Sequence, residues 1–161
     1  MQQYSQKESL SERAKRLSSK YGLTQTGFDC ECIYSKGDLT KVVSSILKDL
    51  LPDQQFEITE TISSDGKQYV AKVKHTSGQE IEIFADTHAD FLPDGFSFIL
   101  ESIPQKIGSD KRFYMINPRL LGQDAWYFCG AETNLKAAKS DGLPLIYSGE
   151  DFMEMDISEF E

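Results

Sequence analysis

The chain contains few of the residues on which catalytic and cross-linked sites most often depend. Its 161 residues include only two histidines, three cysteines and one tryptophan. It also lacks the G-x-S-x-G motif of a nucleophile elbow and the G-x-x-x-x-G-K-[ST] motif of a phosphate-binding loop. Acid–base catalysis is still possible, because a pair of carboxylates can perform it without histidine and the chain has 26 acidic residues. No motif therefore supports an enzyme, and no cofactor is expected.

No apolar run is long enough to cross a bilayer. The longest apolar-leaning stretches, at residues 42–51 and 96–99, fall short of the ~20 residues that a membrane-spanning helix needs. Residues 1–10 are polar and lack the apolar centre of a signal peptide. An odd number of cysteines in a chain of this size favours reduced thiols over disulfides. We therefore expect a cytoplasmic protein without membrane contact.

Basic residues are scarce relative to acidic ones. The sequence has 17 Lys and Arg against 26 Asp and Glu, which gives a formal charge of −9. Such a surface repels phosphates, so direct binding of nucleic acid is not expected. Two segments are acidic throughout, since residues 75–105 and residues 149–161 each hold six acids and no Lys or Arg. Charge segregated in this way speeds encounter with a basic partner.

Periodicity predicts a single α+β domain over residues 1–161, built on a mainly antiparallel sheet. A surface helix is predicted at residues 9–21, with Ser9 and Glu12 forming a capping box. A packed helix follows at about residues 38–51, with Asp38 as its N-cap. The period-two pattern at residues 55–86 predicts a three-stranded meander. The acidic tail at about residues 149–161 is either ordered or partly disordered.

The other elements have weaker signals. Alternation predicts one strand at residues 28–34, with Phe28, Cys30, Cys32 and Tyr34 on its buried face. Residues 96–103 fit either a buried strand or a short helix. The remaining predictions are a short helix at residues 131–140 and strands at residues 111–117, 125–130 and 143–147.

Residues 134–152 (NLKAAKSDGLPLIYSGEDF) resemble the late helix-and-strand segment of BRCT domains. The earlier strand–helix unit of that family, with its glycine pair, and its later tryptophan helix are missing. The resemblance therefore implies a helix, a turn and a strand in this segment, and it implies no function.

One spacing is typical of a metal site. In an extended segment Asp86, His88 and Asp90 share a face, where oxygen and nitrogen ligands converge on a divalent ion. The competing interpretation is an exposed polar loop. Cys30 and Cys32, together with Cys129 or His75, could also form a thiolate-rich metal site. The competing interpretation is that these cysteines are small buried apolar residues.

The charge pattern favours a protein that binds and inhibits a basic partner. In size, acidity and order of elements the chain is similar to the immunity proteins that bacteria pair with secreted nuclease toxins. The expected binding residues are acids and aromatics of the two acidic segments together with the tryptophan: Glu80, Glu82, Asp86, Asp90, Asp94, Trp126, Glu150, Asp151, Phe152 and Glu154. The alternatives are a small metal-dependent enzyme or metal-binding domain using Asp86, His88 and Asp90, and an adaptor subunit that assembles through the helix at residues 9–21.

Overall fold

Helices and antiparallel strands are interspersed along the chain in the computed structural model, which describes residues 7–147 and 149–160. Residues 1–6 of the polar N-terminal segment, residue 148 and the last residue of the predicted tail lie outside these ranges. The described residues form four α-helices: α1 (Leu10–Tyr21), α2 (Asp38–Leu50), α3 (Phe96–Lys106) and α4 (Glu132–Ser140). The strands within the same residues are β1 (Thr24–Asp29), β2 (Glu31–Ile33), β3 (Phe56–Ile62), β4 (Gln68–His75), β5 (Glu80–Asp86), β6 (Asp90–Phe91), β7 (Lys111–Ile116), β8 (Asp124–Ala131) and β9 (Leu145–Ile146).

The α+β prediction is confirmed, and the strands form three separate antiparallel sheets. Their orders are β1-β8-β7-β9, β3-β4-β5 and β2-β6. The first sheet separates two apolar cores, because alternate residues of β8 point to opposite faces. Tyr127 lies in the larger core with α2, α3 and the inner face of the meander, whereas Phe128 lies in the smaller core beneath α1 and α4. Both α2 and α3 contact the four-stranded sheet and the meander, so they lie between the two.

The start of α1 was predicted in detail. The Ser9 side chain accepts from the backbone N–H of Glu12 at 3.1 Å, and the Glu12 carboxylate accepts from the N–H of Ser9 at 3.2 Å. Gly22 ends the helix in the left-handed conformation. The capping box is confirmed because all of its interactions are local in sequence.

The predicted N-cap of α2 is wrong. Gly37 occupies that position, and Asp38 is the first helical residue, whose carboxylate accepts from the N–H groups of Tyr34 and Ser35. Gly37 has no side chain to bind the exposed N–H groups at the helix start. The carboxylate of Glu60 on β3 does so instead, accepting from the N–H of Gly37 at 2.5 Å and of Thr40 at 2.8 Å.

The predicted single strand at residues 28–34 is also wrong. The chain bends at Cys30, so that β1 pairs with β8 while β2 pairs with β6. Beyond this bend the predicted faces fail for two residues, since Ile33 is fully buried and Tyr34 is exposed, whereas Cys32 packs against the large core as predicted. Strict alternation misled the prediction, because a bend between two ladders changes which face a residue occupies.

The meander is confirmed, and the ambiguous segment at residues 96–103 is helical. In the meander Lys72 lies opposite Glu82 and Lys74 lies opposite Glu80 on its outer face. The last predicted strand is shorter than expected, because only Leu145–Ile146 pairs with β7. The helix, turn and strand expected from the local resemblance at residues 134–152 are present as α4 and β9.

The acidic tail packs against the body of the protein over residues 149–160. The buried Asn117 amide donates to the carbonyl of Phe152 at 2.8 Å. Arg13 pairs with Glu159 at 3.2 Å, and its guanidinium lies 5.0 Å from the centre of the Phe160 ring. Ile157, which lies between Phe152 and Glu159 in the sequence, is buried. The described part of the tail is therefore held in place by neutral, ionic and apolar contacts together.

Candidate protein-binding surface

The ten predicted binding residues fall into three regions of the structure. Glu80, Glu82 and Asp86 lie on β5, on the face of the meander that points away from the large core. Lys74 and Lys72 stand directly opposite Glu80 and Glu82 on β4. The outer face of the meander therefore carries both signs of charge, and its acids are partly compensated by these lysines.

Trp126 and the predicted tail residues lie on the side of the smaller core. Trp126 packs at the margin of that core, where its indole N–H donates to the side-chain oxygen of Gln25 at 3.0 Å. Glu150 pairs with Lys139 of α4 at 2.5 Å, so its charge is compensated. The three remaining predicted residues of the tail are exposed, namely Asp151, Phe152 and Glu154. The structure therefore does not unite the tail with the acids of β5.

Asp90 and Asp94 belong to the third region, around the short ladder of β2 and β6. Asp90 lies opposite Ile33, and the neighbouring Phe91 lies opposite Glu31. Asp94 follows in the turn before α3. This ladder joins two acidic parts of the sequence that are about sixty positions apart, and it introduces binding candidates that the sequence analysis did not select.

We use the name acidic patch for four carboxylates and two aromatic side chains around this ladder: Asp29, Glu31, Asp90 and Asp124 with Tyr34 and Phe91. Asp29 lies directly opposite Asp124 where β1 pairs with β8. Gln123 links the carboxylates, since its side-chain amide donates to Asp29 at 2.8 Å and lies 3.5 Å from an oxygen of Glu31. The patch thus joins the ends of two sheets.

The two aromatic side chains of the acidic patch are exposed. Tyr34 is 61% exposed and Phe91 is 45% exposed. The Tyr34 hydroxyl donates to the carbonyl of Glu31 at 3.3 Å. Desolvation, this contact with Glu31 and the nearby carboxylates of Asp90 and Asp29 together raise the pKa of Tyr34. The ring therefore stays neutral at physiological pH and stands among negative charges.

Cations are absent from the stretches of sequence that build the acidic patch. Residues 21–35, 75–105 and 120–131 contain no Lys or Arg. None of the ion pairs formed within residues 7–147 and 149–160 involves an acid of the patch. The cross-strand partners of the patch acids are not Lys or Arg, whereas Glu80 and Glu82 on the outer face of the meander each stand opposite a lysine.

The predicted metal ligands do not assemble. Within the described ranges, no three His, Cys, Asp or Glu side chains are placed to hold a metal ion. Asp86, His88 and Asp90 are each exposed, in a segment that bends between β5 and β6. The geometry therefore gives the metal-dependent alternative no support.

His75 and the cysteines have structural surroundings. The His75 ring is buried against Phe56, and its nitrogens lie 2.6 Å from the Gln54 side-chain oxygen and 2.8 Å from the Ser77 hydroxyl. Burial raises the pKa of the Cys32 and Cys129 thiols to about 11. Burial likewise raises the pKa of Cys30, so all three thiols are poor nucleophiles at neutral pH.

No protein-family model, curated protein or solved structure matches the chain. None of the helices in residues 7–147 and 149–160 has the length and apolar character needed to span a membrane. The function is therefore inferred from the chemistry of the acidic patch.

Sequence reasoning missed four of the six residues of the acidic patch, namely Asp29, Glu31, Tyr34 and Asp124. Phe91 lies within the predicted acidic segment at residues 75–105, and Asp90 was among the predicted binding residues. The available signal was the absence of Lys and Arg from residues 21–35 and 120–131. The absence of Lys and Arg identifies a shared surface only when the pairing of the strands is known, because the pairing shows that these distant segments lie next to each other.

Proposed function

We propose that this protein binds a basic protein partner through the acidic patch and inhibits it. The observation that carries the proposal is the meeting of Asp29, Glu31, Asp90 and Asp124 around two exposed aromatic side chains, without a compensating ion pair among the described residues. Complementary potentials steer association, and buried aromatic residues supply much of the affinity of protein interfaces.

Inhibition follows from the chemistry of a basic active-site cleft. An enzyme that acts on nucleic acid uses Lys and Arg to hold phosphates. A surface of closely spaced carboxylates competes for those cations, and Tyr34 and Phe91 supply apolar contact that phosphate lacks. This arrangement supports an inhibitor of the immunity-protein type, whose partner is a basic toxin or nuclease domain.

A comparison of two neutralised variants tests the proposal. The first carries Asp29→Asn, Asp90→Asn and Asp124→Asn in the acidic patch. The second carries Glu57→Gln, Glu80→Gln and Glu82→Gln on the outer face of the meander, and it changes the net charge by the same amount. Asn is chosen at position 90 because Asp90 has a φ of 60°, a conformation that Asn tolerates.

Each variant and the unmodified chain are used to capture proteins from the lysate of the source organism, with washes of rising salt. We expect one basic protein to be retained by the unmodified chain and by the meander variant. The patch variant should associate roughly ten- to a hundredfold more slowly at low ionic strength. The captured protein should also lose nuclease activity on addition of the unmodified chain. Equal association of the two variants would place the binding surface elsewhere.

A further inference from the structure

The meander has one open edge, formed by β3. This strand is terminal in the order β3-β4-β5, and its ladder with β4 is regular from Phe56 to Ile62. The N–H of Ser63 donates to the carbonyl of Gln68 at 2.9 Å, which fixes the hydrogen-bonded positions of the ladder. Since these alternate along an antiparallel pair, the peptide groups of Phe56, Ile58, Glu60 and Ile62 point to the open edge.

Nothing in the described chain occupies this edge. Within residues 7–147 and 149–160, the backbone of Phe56–Ile62 makes no hydrogen bond other than those to β4. An open groove lies between β3 and α2, lined by Ser44 and Lys48 on the helix and by Phe56 and Ile58 on the strand. The strand contains no proline, lysine or bulge, and its inward-facing charge, that of Glu60, is bound by the N–H groups of Gly37 and Thr40.

The strand is complementary to itself in antiparallel pairing. Thr59 is its central residue, and a two-fold axis through Thr59 pairs the strand with its copy over its whole length. In this register Ile58 faces Glu60 of the second copy, and Phe56 faces Ile62 of the second copy. These are the positions whose peptide groups point outwards, so every outward N–H and C=O gains a partner.

The charges also agree with this register. On the outer face, Glu57 lies opposite Thr61 of the second copy, and Thr59 lies opposite its own counterpart, so no like charges meet. The same operation on β5 would place Glu80 opposite Asp86, which is repulsive. In addition, β5 contacts β6 and α3, whereas β3 contacts α2 and, among the described residues, its outer backbone edge is unpaired.

We propose that the protein forms a symmetric dimer in which β3 pairs with β3 of a second copy. The two meanders then form one continuous six-stranded sheet in the order β5-β4-β3-β3-β4-β5. This surface is separate from the acidic patch, so the dimer does not depend on the proposed inhibitory function. Closed two-fold pairing also removes the exposed edge that would otherwise recruit further chains.

Disulfide formation tests the register directly, with the full chain and one new cysteine at a time. In a non-hydrogen-bonded antiparallel pair the Cα atoms are ~4.5 Å apart, which suits a disulfide. Thr59→Cys places the Cα atoms of the two new cysteines at that separation across the axis, whereas Thr61→Cys places them about 14 Å apart along the strands. Both variants keep the same native cysteines, so Thr61→Cys is the matched control.

We expect mild oxidation to convert Thr59→Cys into a covalent dimer at least tenfold faster than Thr61→Cys. Equal rates, or a faster reaction of Thr61→Cys, would overturn the proposed pairing. Reduction should return both variants to their starting state on a non-reducing gel.

A charge variant tests the same interface without covalent chemistry. Thr59→Glu faces Lys72 within one copy, so the fold is supported, but it faces a second Glu across the dimer axis. Thr61→Lys faces Glu57 of the second copy and should preserve pairing. We expect sedimentation equilibrium to show a dimer for the unmodified chain and Thr61→Lys, and at least tenfold weaker association for Thr59→Glu. A monomeric unmodified chain at roughly 1 mM, the weak end of specific affinity, would refute the dimer.

Discussion

Asp29 and Asp124 stand directly opposite each other where β1 pairs with β8, so two carboxylates occupy neighbouring positions on adjacent strands. Like charges in such positions destabilise a sheet. The side-chain amide of Gln123 donates to Asp29 at 2.8 Å and offsets part of this repulsion. A repulsive pair of carboxylates is expected on a surface whose negative charge is needed for binding, because residues that serve function often reduce stability.

Replacing Asp124 with Asn should therefore stabilise the folded chain while weakening partner binding. The expected gain in the free energy of unfolding is about 0.2–1 kcal/mol, because one repulsive cross-strand pair is removed. Urea denaturation at low ionic strength measures it, and added salt should reduce the difference. Glu82→Gln is the matched control, since it removes an acid that faces Lys72 and should give no gain. Loss of stability in Asp124→Asn would contradict the interpretation.

Glu60 connects β3 to the start of α2, and its removal should destabilise the protein. Its carboxylate accepts from the N–H of Gly37 and from both the N–H and the hydroxyl of Thr40. Glu60→Ala leaves these donors without that partner, at an expected cost of about 1–3 kcal/mol. Thermal or urea denaturation measures the change. Glu57→Ala, on the exposed face of the same strand, should change stability by less than ~0.5 kcal/mol.

Asn117 anchors the tail from a fully buried position. Its amide donates to the Phe152 carbonyl at 2.8 Å, and its side-chain oxygen accepts from the N–H of Arg119 at 3.1 Å. Asn117→Ala removes both bonds, so we expect a loss of about 1–3 kcal/mol in stability. Cleavage of the tail by a glutamate-specific protease should accelerate as well. Asn134→Ala, at an exposed position of α4, should leave both measurements unchanged.

The stability of the protein should depend on the ionisation of Asp38 at low pH. Hydrogen bonds from the N–H groups of Tyr34 and Ser35 help to hold the pKa of Asp38 below its ordinary value of 3.8. A depressed folded-state pKa stabilises the folded chain above the ordinary value, and this contribution is lost as the pH falls through the folded pKa. The difference in unfolding free energy between the unmodified chain and Asp38→Asn should therefore be smaller at pH 2 than at pH 7. A difference that does not change with pH would contradict this.

Local elements were predictable wherever the deciding contacts are close in sequence. The capping box of Ser9 and Glu12 spans three residues, and the turn at Gly66 joins adjacent strands of the meander. The meander was predicted because short turns join its strands and each strand alternates regularly, and its register places Lys72 opposite Glu82. The N-cap of α2 was mispredicted because its principal partner, Glu60, lies on another element.

The acidic patch required information that one strand pattern does not contain. Alternation placed Cys30 and Tyr34 on one continuous strand, whereas the chain changes partner strand at Cys30. Asp29 therefore meets Asp124, and Glu31 meets Phe91, through two different ladders. The predicted acids of β5 and those of the tail do not form one surface, because the two elements lie on different sides of the fold. The sequence pattern of each element does not contain this information.

The amino-acid sequence by itself determined the acidity of the protein, its main helices and its meander. Charge is set by composition, and helix caps and hairpin turns depend on residues only a few positions apart. Tertiary structure alone decided which carboxylates are paired with lysine and which form the acidic patch. It also decided which strand edge stays open. These features depend on register and packing between distant segments, where many pairings satisfy the same local pattern and only simultaneous burial of both apolar cores selects one.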